Sequence, residues 1–397
     1  MNLLRPQSPY QFMPPKYSRA FRPVLHLLTR LSLRFEHQVT AVRITGQEGL
    51  ERLVREGQSV LVAPNHADHA DPALMITAGR RSRFAFHFMA AREGFERNWF
   101  HRFVLQRGGA FSVNREGGDI GSIKMAIKVL QEARFPLVIF PEGEIYHHKE
   151  SLDELNEGVA SIVLRASSNL PEGRKGFVVP ASISLNYDLS VEATFSDRLS
   201  ALEKHVSLGS LKNDNPVERI FALGAAILST KEKELLGESR EGELVERIRF
   251  LRQAIVNDVE GLQGLSNEAL SIPKRIKALR ATIRKELTGK LEDLSPERIR
   301  ELYDQLDRVY MAHQLYSYPG TYLSEDSSID RIAETIFKLE EDVLGKARYL
   351  GKRKVVIRFD DPIDLAEFLE KNQLNPKTGV GPLTSLIRER IQALLTK

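Results

Sequence analysis

Between residues 59 and 185, short uninterrupted apolar runs alternate with apolar residues spaced three or four positions apart. Uninterrupted runs indicate strands buried on both faces, and the wider spacing indicates helices that bury one side. The runs lie at residues 59–63, 84–89, 109–113, 136–140 and 177–185. Because the two patterns alternate, the sequence predicts an α/β fold with a mixed, largely parallel sheet flanked by helices.

From about residue 200 to 350 only the helical spacing remains, and no internal repeat is evident. Lys354–Phe359 then has the pattern of a strand again, so we expect an all-helical insertion before the last strand. The predicted divisions are an N-terminal amphipathic helix region at 1–40, the α/β domain at 41–199, the helical insertion at 200–350, and the return of the α/β domain with a C-terminal helix at 351–397.

The composition excludes several kinds of chemistry. The 397 residues include no cysteine, which excludes disulfides, thiolate metal ligands and cysteine nucleophiles. A net charge of +4 favours anionic surfaces but is too small for packaging nucleic acid, and no nucleic-acid partner is expected. The longest apolar stretch, Ile220–Leu228, has about half of the roughly 18–20 residues that a membrane span needs.

The N-terminal residues predict a basic amphipathic helix. Its apolar side chains follow helical spacing, with basic residues beside them. Such a helix either lies on an anionic membrane surface or packs its apolar side on the body of the protein. The apolar positions are Phe21, Val24, Leu25, Leu28, Leu31 and Phe35.

Polar residues gather where three of the predicted strands end. Asn65 to Asp71 follow the first run, Asn114 and Arg115 follow the third, and Pro141 to Glu144 follow the fourth. In open α/β sheets, sites form beyond the carboxyl ends of the strands, so these clusters are expected to share one cleft.

His66 and Asp71 are the sharpest pair in these clusters. A carboxylate five positions after a histidine can accept its N–H and leave the other ring nitrogen free to take a proton from a hydroxyl. Because no covalent nucleophile stands beside them, direct attack by a bound alcohol is the simplest chemistry.

Four segments together resemble the motifs of the glycerolipid acyltransferases, which acylate glycerol-3-phosphate and lysophosphatidic acid. The first is Asn65-His66 followed by Asp71, and the third is Phe140-Pro-Glu-Gly143. The second, Gly109 to Arg115, matches well, whereas the fourth, Val179-Pro180, is short. The resemblance covers about residues 40–190.

The resemblance implies roles for these residues. His66 would be the general base, Asp71 would orient it, and Arg115 would hold the anionic head of the acceptor. Substrate-binding positions would also include Asn65, Gly109, Glu142, Gly143 and Pro180. The acyl donor would be acyl-CoA or acyl-ACP, the acceptor a lysophospholipid or a glycerol phosphate, and no further cofactor would be needed. The protein would be cytoplasmic and peripherally associated with the inner face of the membrane.

Two short segments depart from the family's usual pattern. Glu144-Ile145 replace Thr-Arg or Ser-Arg after the third motif, and Asn156-Glu157 stand where a lysine is common. These changes remove two cations from the expected phosphate site and add a carboxylate, which makes a less anionic acceptor an open alternative.

Two other classes of function stay open at this level. One is a metal-dependent hydrolase that uses His66, Asp68, His69 and Asp71, although Pro64 stands where such loops have a further histidine. The other is an inactive membrane-associated scaffold whose helical insertion binds a partner. No metal is expected, and the sequence does not indicate the oligomeric state.

Overall fold

The chain divides into two compact units. A computed structural model describes residues 10–115, 119–145, 147, 150, 152, 154–209, 214–289 and 294–396. The α/β unit combines Tyr10–Asp188 with Lys352–Lys397. The helical unit contains Leu189–Gly351. It begins before the predicted residue 200 because the helix that carries Phe195 and Leu199 belongs to it.

The α/β unit is built on one eight-stranded sheet in the order β1-β7-β6-β2-β5-β3-β4, with β8 paired to β6. All pairs are parallel except β6 with β7 and β6 with β8. This confirms the predicted mixed, largely parallel sheet. The strands are β1 (Val39–Thr45), β2 (Ser59–Pro64), β3 (His87–Ala91), β4 (Ala110–Val113), β5 (Leu137–Val138), β6 (Gly176–Tyr187), β7 (Arg353–Phe359) and β8 (Ile363–Asp364).

Strand β2 shows why the central runs are uninterrupted. Every residue in it is buried. Val60 and Val62 belong to one apolar core, whereas Leu61 and Ala63 belong to a second core. Because successive side chains of a strand point to opposite faces, apolar cores cover both faces of the sheet here.

Within the described residues, seven α-helices of the α/β unit precede the helical unit. The first, α1, continues into a single π-helical turn at Ser32–Glu36. The seven are α1 (Arg22–Leu31), α2 (Glu48–Arg55), α3 (Asp71–Arg81), α4 (Arg92–Glu96), α5 (Trp99–Arg107), α6 (Ile120–Glu132) and α7 (Gly158–Ser167).

The N-terminal segment covers the edge of the sheet at β4. The backbone N–H of Ser112 donates to the carbonyl of Met13 at 3.0 Å, and that of Lys16 donates to Gln106 at 2.9 Å. Phe12 packs against the core near Phe111, with ring centroids 6.4 Å apart. An edge strand exposes unpaired backbone groups, and this segment satisfies part of that edge.

The helical unit has an apolar core of its own and includes six α-helices within the described part of the chain. A 3₁₀ segment, Leu189–Thr194, leads into them. The helices are α8 (Phe195–His205), α9 (Pro216–Leu236), α10 (Leu244–Leu262), α11 (Ile272–Gly289), α12 (Pro296–Tyr316) and α13 (Ile329–Leu344).

These helices contain an internal repeat, although the sequence pattern predicted none. Helices α9 to α13 each carry a charged residue, an arginine and an isoleucine in succession near the helix start. The first three arginines follow one another at intervals of 28 residues, and the next two at 23 and 33. The repeated triplets are Glu218-Arg219-Ile220, Glu246-Arg247-Ile248, Lys274-Arg275-Ile276, Glu297-Arg298-Ile299 and Asp330-Arg331-Ile332.

In the first three triplets the arginine forms a buried ion pair with the helix before it. Arg219 pairs with Glu203 at 2.8 Å, and Arg247 pairs with Glu232 at 2.7 Å. Arg275 pairs with Glu260 in the same way. Each of these arginines also donates to the residue three positions before its glutamate, which is Ser200, Ser229 or Asn257. The repeat consists of only a few residues in each helix. The spacing of apolar residues alone therefore does not reveal it.

After the helical unit, β7 enters the sheet between β1 and β6, and β8 follows it. Two helices, α14 (Leu365–Lys371) and α15 (Val380–Leu395), complete the α/β unit. Helix α15 buries Leu383, Ile387 and Ile391 in the second core. Two strands therefore follow the insertion rather than the one predicted.

Strands β1 and β3 also differ from the sequence prediction. β1 was not predicted, because this outer strand buries few apolar residues: only Val39 is buried, and Val42 and Ile44 are half-buried. β3 begins at His87 rather than Phe84, since Arg83 adopts a φ of 67° and breaks the chain direction there. Phe84 and Phe86 still enter the core.

Candidate active site

The loop after β2 is held to the neighbouring strand by Asn65. This side chain is 1% exposed, and its amide donates to the carbonyl of Ile183 at 3.1 Å while accepting its N–H at 2.7 Å. The side chain continues the strand pairing one residue beyond Pro64. Asn65 thus uses its amide to fix the loop, which sets the direction of the next residue, His66.

His66 and Asp71 face each other as the sequence predicted. Nδ1 of His66 lies 3.0 Å from Oδ2 of Asp71, which is the first residue of α3. The same oxygen accepts the backbone N–H of Asp68 at 2.9 Å, so it acts as an acceptor and Nδ1 as the donor. Nε2 has no hydrogen-bond partner among the described residues and keeps its lone pair.

Burial sets the charge state of this pair. It lowers the pKa of His66 to about 3, helped by the nearby His69 and Arg115. Burial likewise raises the pKa of Asp71 well above its usual value, and the Asp68 carboxylate adds to this. Oδ1 of Asp71 has no partner among the described residues. His66 is therefore neutral at physiological pH, which is the form that accepts a proton.

The ring of His66 is also fixed by packing. It stacks on Phe140 with ring centroids 4.1 Å apart and an interplanar angle of 25°. Phe140 directly follows the β5 region, so the strand next to β2 in the sheet supports the histidine from one side. The imidazole keeps one orientation toward Asp71 as a result.

A buried arginine that lies outside all the sequence motifs stabilises the loop between β2 and α3. Arg353, at the start of β7, forms an ion pair with Asp68 and donates from Nε to the carbonyl of His37 at 3.0 Å. Burial alone would raise the pKa of Asp68, but the charge and hydrogen bonds of Arg353 outweigh it and hold that pKa well below its usual range. The partners are 285 positions apart in the sequence, so no local pattern points to them.

The turn after β5 also braces the loop that joins β2 to α3 and carries His66. Glu142 is buried, and its carboxylate accepts the backbone N–H of His66 at 2.7 Å. Gly143 has a φ of 75°, and a Cβ on it would lie 2.7 Å from the Asn156 amide nitrogen. Asn156 itself donates to the carbonyl of Glu142 at 2.9 Å. Glu142, Gly143 and Asn156 therefore form one turn that positions the backbone of His66.

Arg115 lies just beyond β4 and reaches the same turn. Its Nη1 donates to the carbonyl of Gly143 at 2.7 Å and to Glu144 at 2.8 Å. Its Nη2 lies 3.7 Å from the carboxylate of Glu93. The arginine predicted to hold an anionic head group thus already pairs with two carboxylates.

Two predicted substrate-binding residues lie elsewhere in the sheet. Gly109 precedes β4 and so lies at the opposite end of that strand from Arg115. A glycine is favoured at this position because its φ is 94° and a Cβ would lie 3.1 Å from the carbonyl of Phe86. Pro180 is buried in β6, opposite Ala63, at the point where β6 changes its antiparallel partner from β8 to β7. Proline has no N–H to donate, and it is tolerated here because it lies between the two antiparallel pairings of β6.

The acidic residues of the loop are engaged with protein groups. Asp68 binds Arg353, and Asp71 binds His66 together with the Asp68 backbone. A metal ion would have to compete with Arg353 for Asp68 and with the Nδ1 proton of His66 for Oδ2 of Asp71, so the metal-dependent alternative is not favoured. The neighbouring His148 and Lys149, which could add cations near Glu144, lie outside the described residues.

Comparison with known proteins identifies the class of the α/β unit. Residues 41–184, a little over a third of the chain, match the family model named Acyltransferase. The match runs from β1 into β6 and includes the His66–Asp71 loop, the Glu142–Gly143 turn and Arg115. No curated protein matches the chain.

The matched residues form an acyltransferase domain. This agrees with the resemblance carried by the four sequence motifs. The helical insertion lies outside the matched residues.

Proposed function

We propose that the protein transfers a fatty acyl group from acyl-CoA or acyl-ACP to a hydroxyl group of a lipid acceptor of the lysophospholipid or glycerol-phosphate type. The observation that carries the proposal is the buried pair of His66 and Asp71, 3.0 Å apart, within an acyltransferase domain. A neutral histidine whose Nδ1 is held by a carboxylate is arranged to act as a general base.

The proposed reaction proceeds in two proton transfers. Nε2 of His66 takes the proton of the acceptor hydroxyl while its oxygen attacks the carbonyl carbon of the thioester. The resulting tetrahedral intermediate breaks its carbon–sulfur bond, and the leaving thiolate takes the proton back from Nε2. An ester and a free thiol result, and the histidine returns to its neutral form. Asp71 stabilises the imidazolium between these two steps.

The test is release of free thiol from acyl-CoA in the presence of a panel of lysolipids. Because the chain has no cysteine, a thiol-reactive dye reports only the released coenzyme A. We expect His66→Ala to lower kcat by about 10²–10⁴-fold or more, the usual contribution of a general base, without a matching loss of thermal stability. Asp71→Asn, which keeps the shape of the side chain, should also lower kcat.

A matched control is His205→Ala, which removes an exposed histidine from α8 and should leave kcat unchanged. An active His66→Ala variant would contradict the mechanism. Thiol release that requires no acceptor would indicate a hydrolase, and no release with any lysolipid would indicate an inactive scaffold.

We also propose that the protein attaches to the inner face of the membrane through α1 and α5. One side of α1 packs inward through Leu25, whereas Leu27 is 57% exposed and Phe35, in the π-helical turn that follows α1, is 72% exposed. On α5, Trp99 is 76% exposed, and Phe103 contacts Phe21 of the N-terminal region with ring centroids 5.4 Å apart.

Basic residues surround these apolar side chains. Arg30 and Arg34 on the α1 side and Arg102 and Arg107 on α5 are exposed. Apolar groups that insert between lipids, next to cations that bind anionic head groups, are the features of an interfacial helix. Within the described residues, no helix combines the length and the apolarity that a bilayer crossing needs.

A further inference from the structure

The charge around Arg115 limits what the site can bind. Arg115, Glu144 and Glu93 have side chains that are 31%, 25% and 26% exposed, so all three are partly shielded from water. Glu144 contacts the guanidinium directly at 2.8 Å, and Glu93 lies 3.7 Å from it. One arginine with two carboxylates has a net formal charge of −1.

This cluster faces the catalytic histidine. The charge of Arg115 lowers the pKa of His66 and that of Glu144 raises it, so both lie close enough to act on the imidazole. The carbonyl of Gly143 accepts from Arg115, and the preceding Glu142 binds the backbone of His66. A hydroxyl placed at Nε2 therefore brings its neighbouring groups beside Arg115 and Glu144.

A phosphomonoester would meet two obstacles in this position. It would have to displace Glu144 from the guanidinium, and it would then lie beside the displaced carboxylate and Glu93. Placing like charges next to each other in a partly shielded site costs binding energy and rejects the more charged ligand. An acceptor without net negative charge leaves the Arg115–Glu144 pair intact.

We infer that Glu144 determines the acceptor, and that the acceptor carries a head group with no net negative charge instead of a phosphomonoester. The inference rests on the proposed acyl transfer and specifies its acceptor. Glu144 acts as a specificity-determining residue: its carboxylate occupies the position on Arg115 that a phosphate would otherwise take.

The experiment compares three acceptors with the same acyl chain: monoacylglycerol, lysophosphatidylcholine and lysophosphatidate. For each acceptor, kcat/KM is measured by thiol release from acyl-CoA with the wild type and with Glu144→Gln. This substitution keeps the shape of the side chain and removes its charge. Thermal unfolding checks that the variant folds. Glu132→Gln is the matched control, because Glu132 is an exposed glutamate that pairs with Lys128 on α6.

We expect the wild type to prefer monoacylglycerol or lysophosphatidylcholine to lysophosphatidate. Glu144→Gln should raise kcat/KM for lysophosphatidate relative to monoacylglycerol by about tenfold, because a like charge beside the phosphate has been removed. Glu132→Gln should leave that ratio unchanged.

Two outcomes would overturn the inference. If the wild type prefers lysophosphatidate or accepts only glycerol-3-phosphate, or if Glu144→Gln leaves the ratio unchanged, the inference fails while the proposed acyl transfer stands. If neither these three acceptors nor glycerol-3-phosphate supports thiol release, the proposed transfer itself fails and the inference fails with it.

Discussion

At the scale of single residues, burial and ion pairing decide which groups of the His66–Asp71 loop carry charge. His66 and Asp68 lie two positions apart, yet their pKa values are both lowered for opposite reasons. Burial removes the charge of His66, whereas Arg353 preserves the charge of Asp68. The loop thus combines a neutral base with a charged structural carboxylate.

The pH dependence of the reaction follows from the lowered pKa of His66. A histidine with its usual pKa loses activity as the pH falls through about 6.5, because the protonated form accepts no proton. Since burial lowers the pKa of His66 to about 3, its neutral form persists far below that value. We expect the titration of His66 to produce no acid limb in kcat/KM near pH 6.5.

The measurement is kcat/KM against pH, with circular dichroism at each pH to separate titration from acid unfolding. An acid limb with a midpoint near 6.5 in the folded protein would mean that the free enzyme does not bury His66 as described.

The predicted site residues differ in how far apart in the sequence their contact partners lie. His66 and Asp71 lie in one loop, and their spacing alone was enough to predict their contact. The resemblance implies that Glu142 and Gly143 bind substrate, and their contacts show in addition that their turn braces the backbone of His66. Sequence motifs identify which residues gather at a site and leave open whether each one binds substrate or supports its neighbour.

At the scale of elements, the helical unit reuses one way of joining successive helices. An arginine near the start of a helix reaches back to a glutamate in the helix before it, and the following isoleucine enters the core. Helix starts also carry side-chain caps, such as Asn215 and Ser295.

Breaking one of these pairs should strongly destabilise the helical unit. Arg247→Met leaves the fully buried carboxylate of Glu232 without its cation, and such a loss costs about 3–5 kcal/mol of unfolding free energy. The measurement is urea unfolding of the whole chain, followed by circular dichroism.

The matched control lies two positions further along α10. Arg249 pairs with Glu246 at 2.8 Å, but both side chains are more than half exposed. Arg249→Met should cost less than about 1 kcal/mol, as exposed ion pairs usually do. Equal effects of the two substitutions would show that burial of the pair does not determine its contribution.

At the scale of the whole molecule, the α/β unit is assembled from both ends of the chain. β7 and β8 follow the helical unit, and the backbone N–H of Asp188 donates to the carbonyl of Lys352 at 3.0 Å. The chain therefore leaves and re-enters the α/β unit at neighbouring positions, which is how an insertion of this size leaves the sheet continuous.

Membrane attachment is the prediction that belongs to this scale. The double substitution Leu27→Ser and Phe35→Ser removes two exposed apolar side chains from one face of the N-terminal helix region. We expect binding to vesicles with anionic lipid to weaken by about tenfold or more, since each apolar side chain that inserts contributes roughly 1.5–3 kcal/mol. Vesicle flotation measures the bound fraction.

Leu262→Ser is the control, because Leu262 is 54% exposed but belongs to the helical unit. It should leave vesicle binding unchanged. Equal binding by the double variant and the wild type would refute the assignment of the membrane surface to α1.

The sequence by itself determined the features that depend on neighbouring positions. Apolar runs predicted β2 and β6 because strands buried on both faces have no polar positions. The spacing of His66 and Asp71 predicted their contact because one short loop joins them.

Only the tertiary structure decided the contacts between distant segments. It joined Asp68 to Arg353 and the outer strand β1 to β7. It also showed that Arg115 is already paired with Glu144, where the motif alone implied a free cation. Such contacts depend on the path of the whole chain, because a charge finds its partner wherever folding places the two groups in the same shielded space.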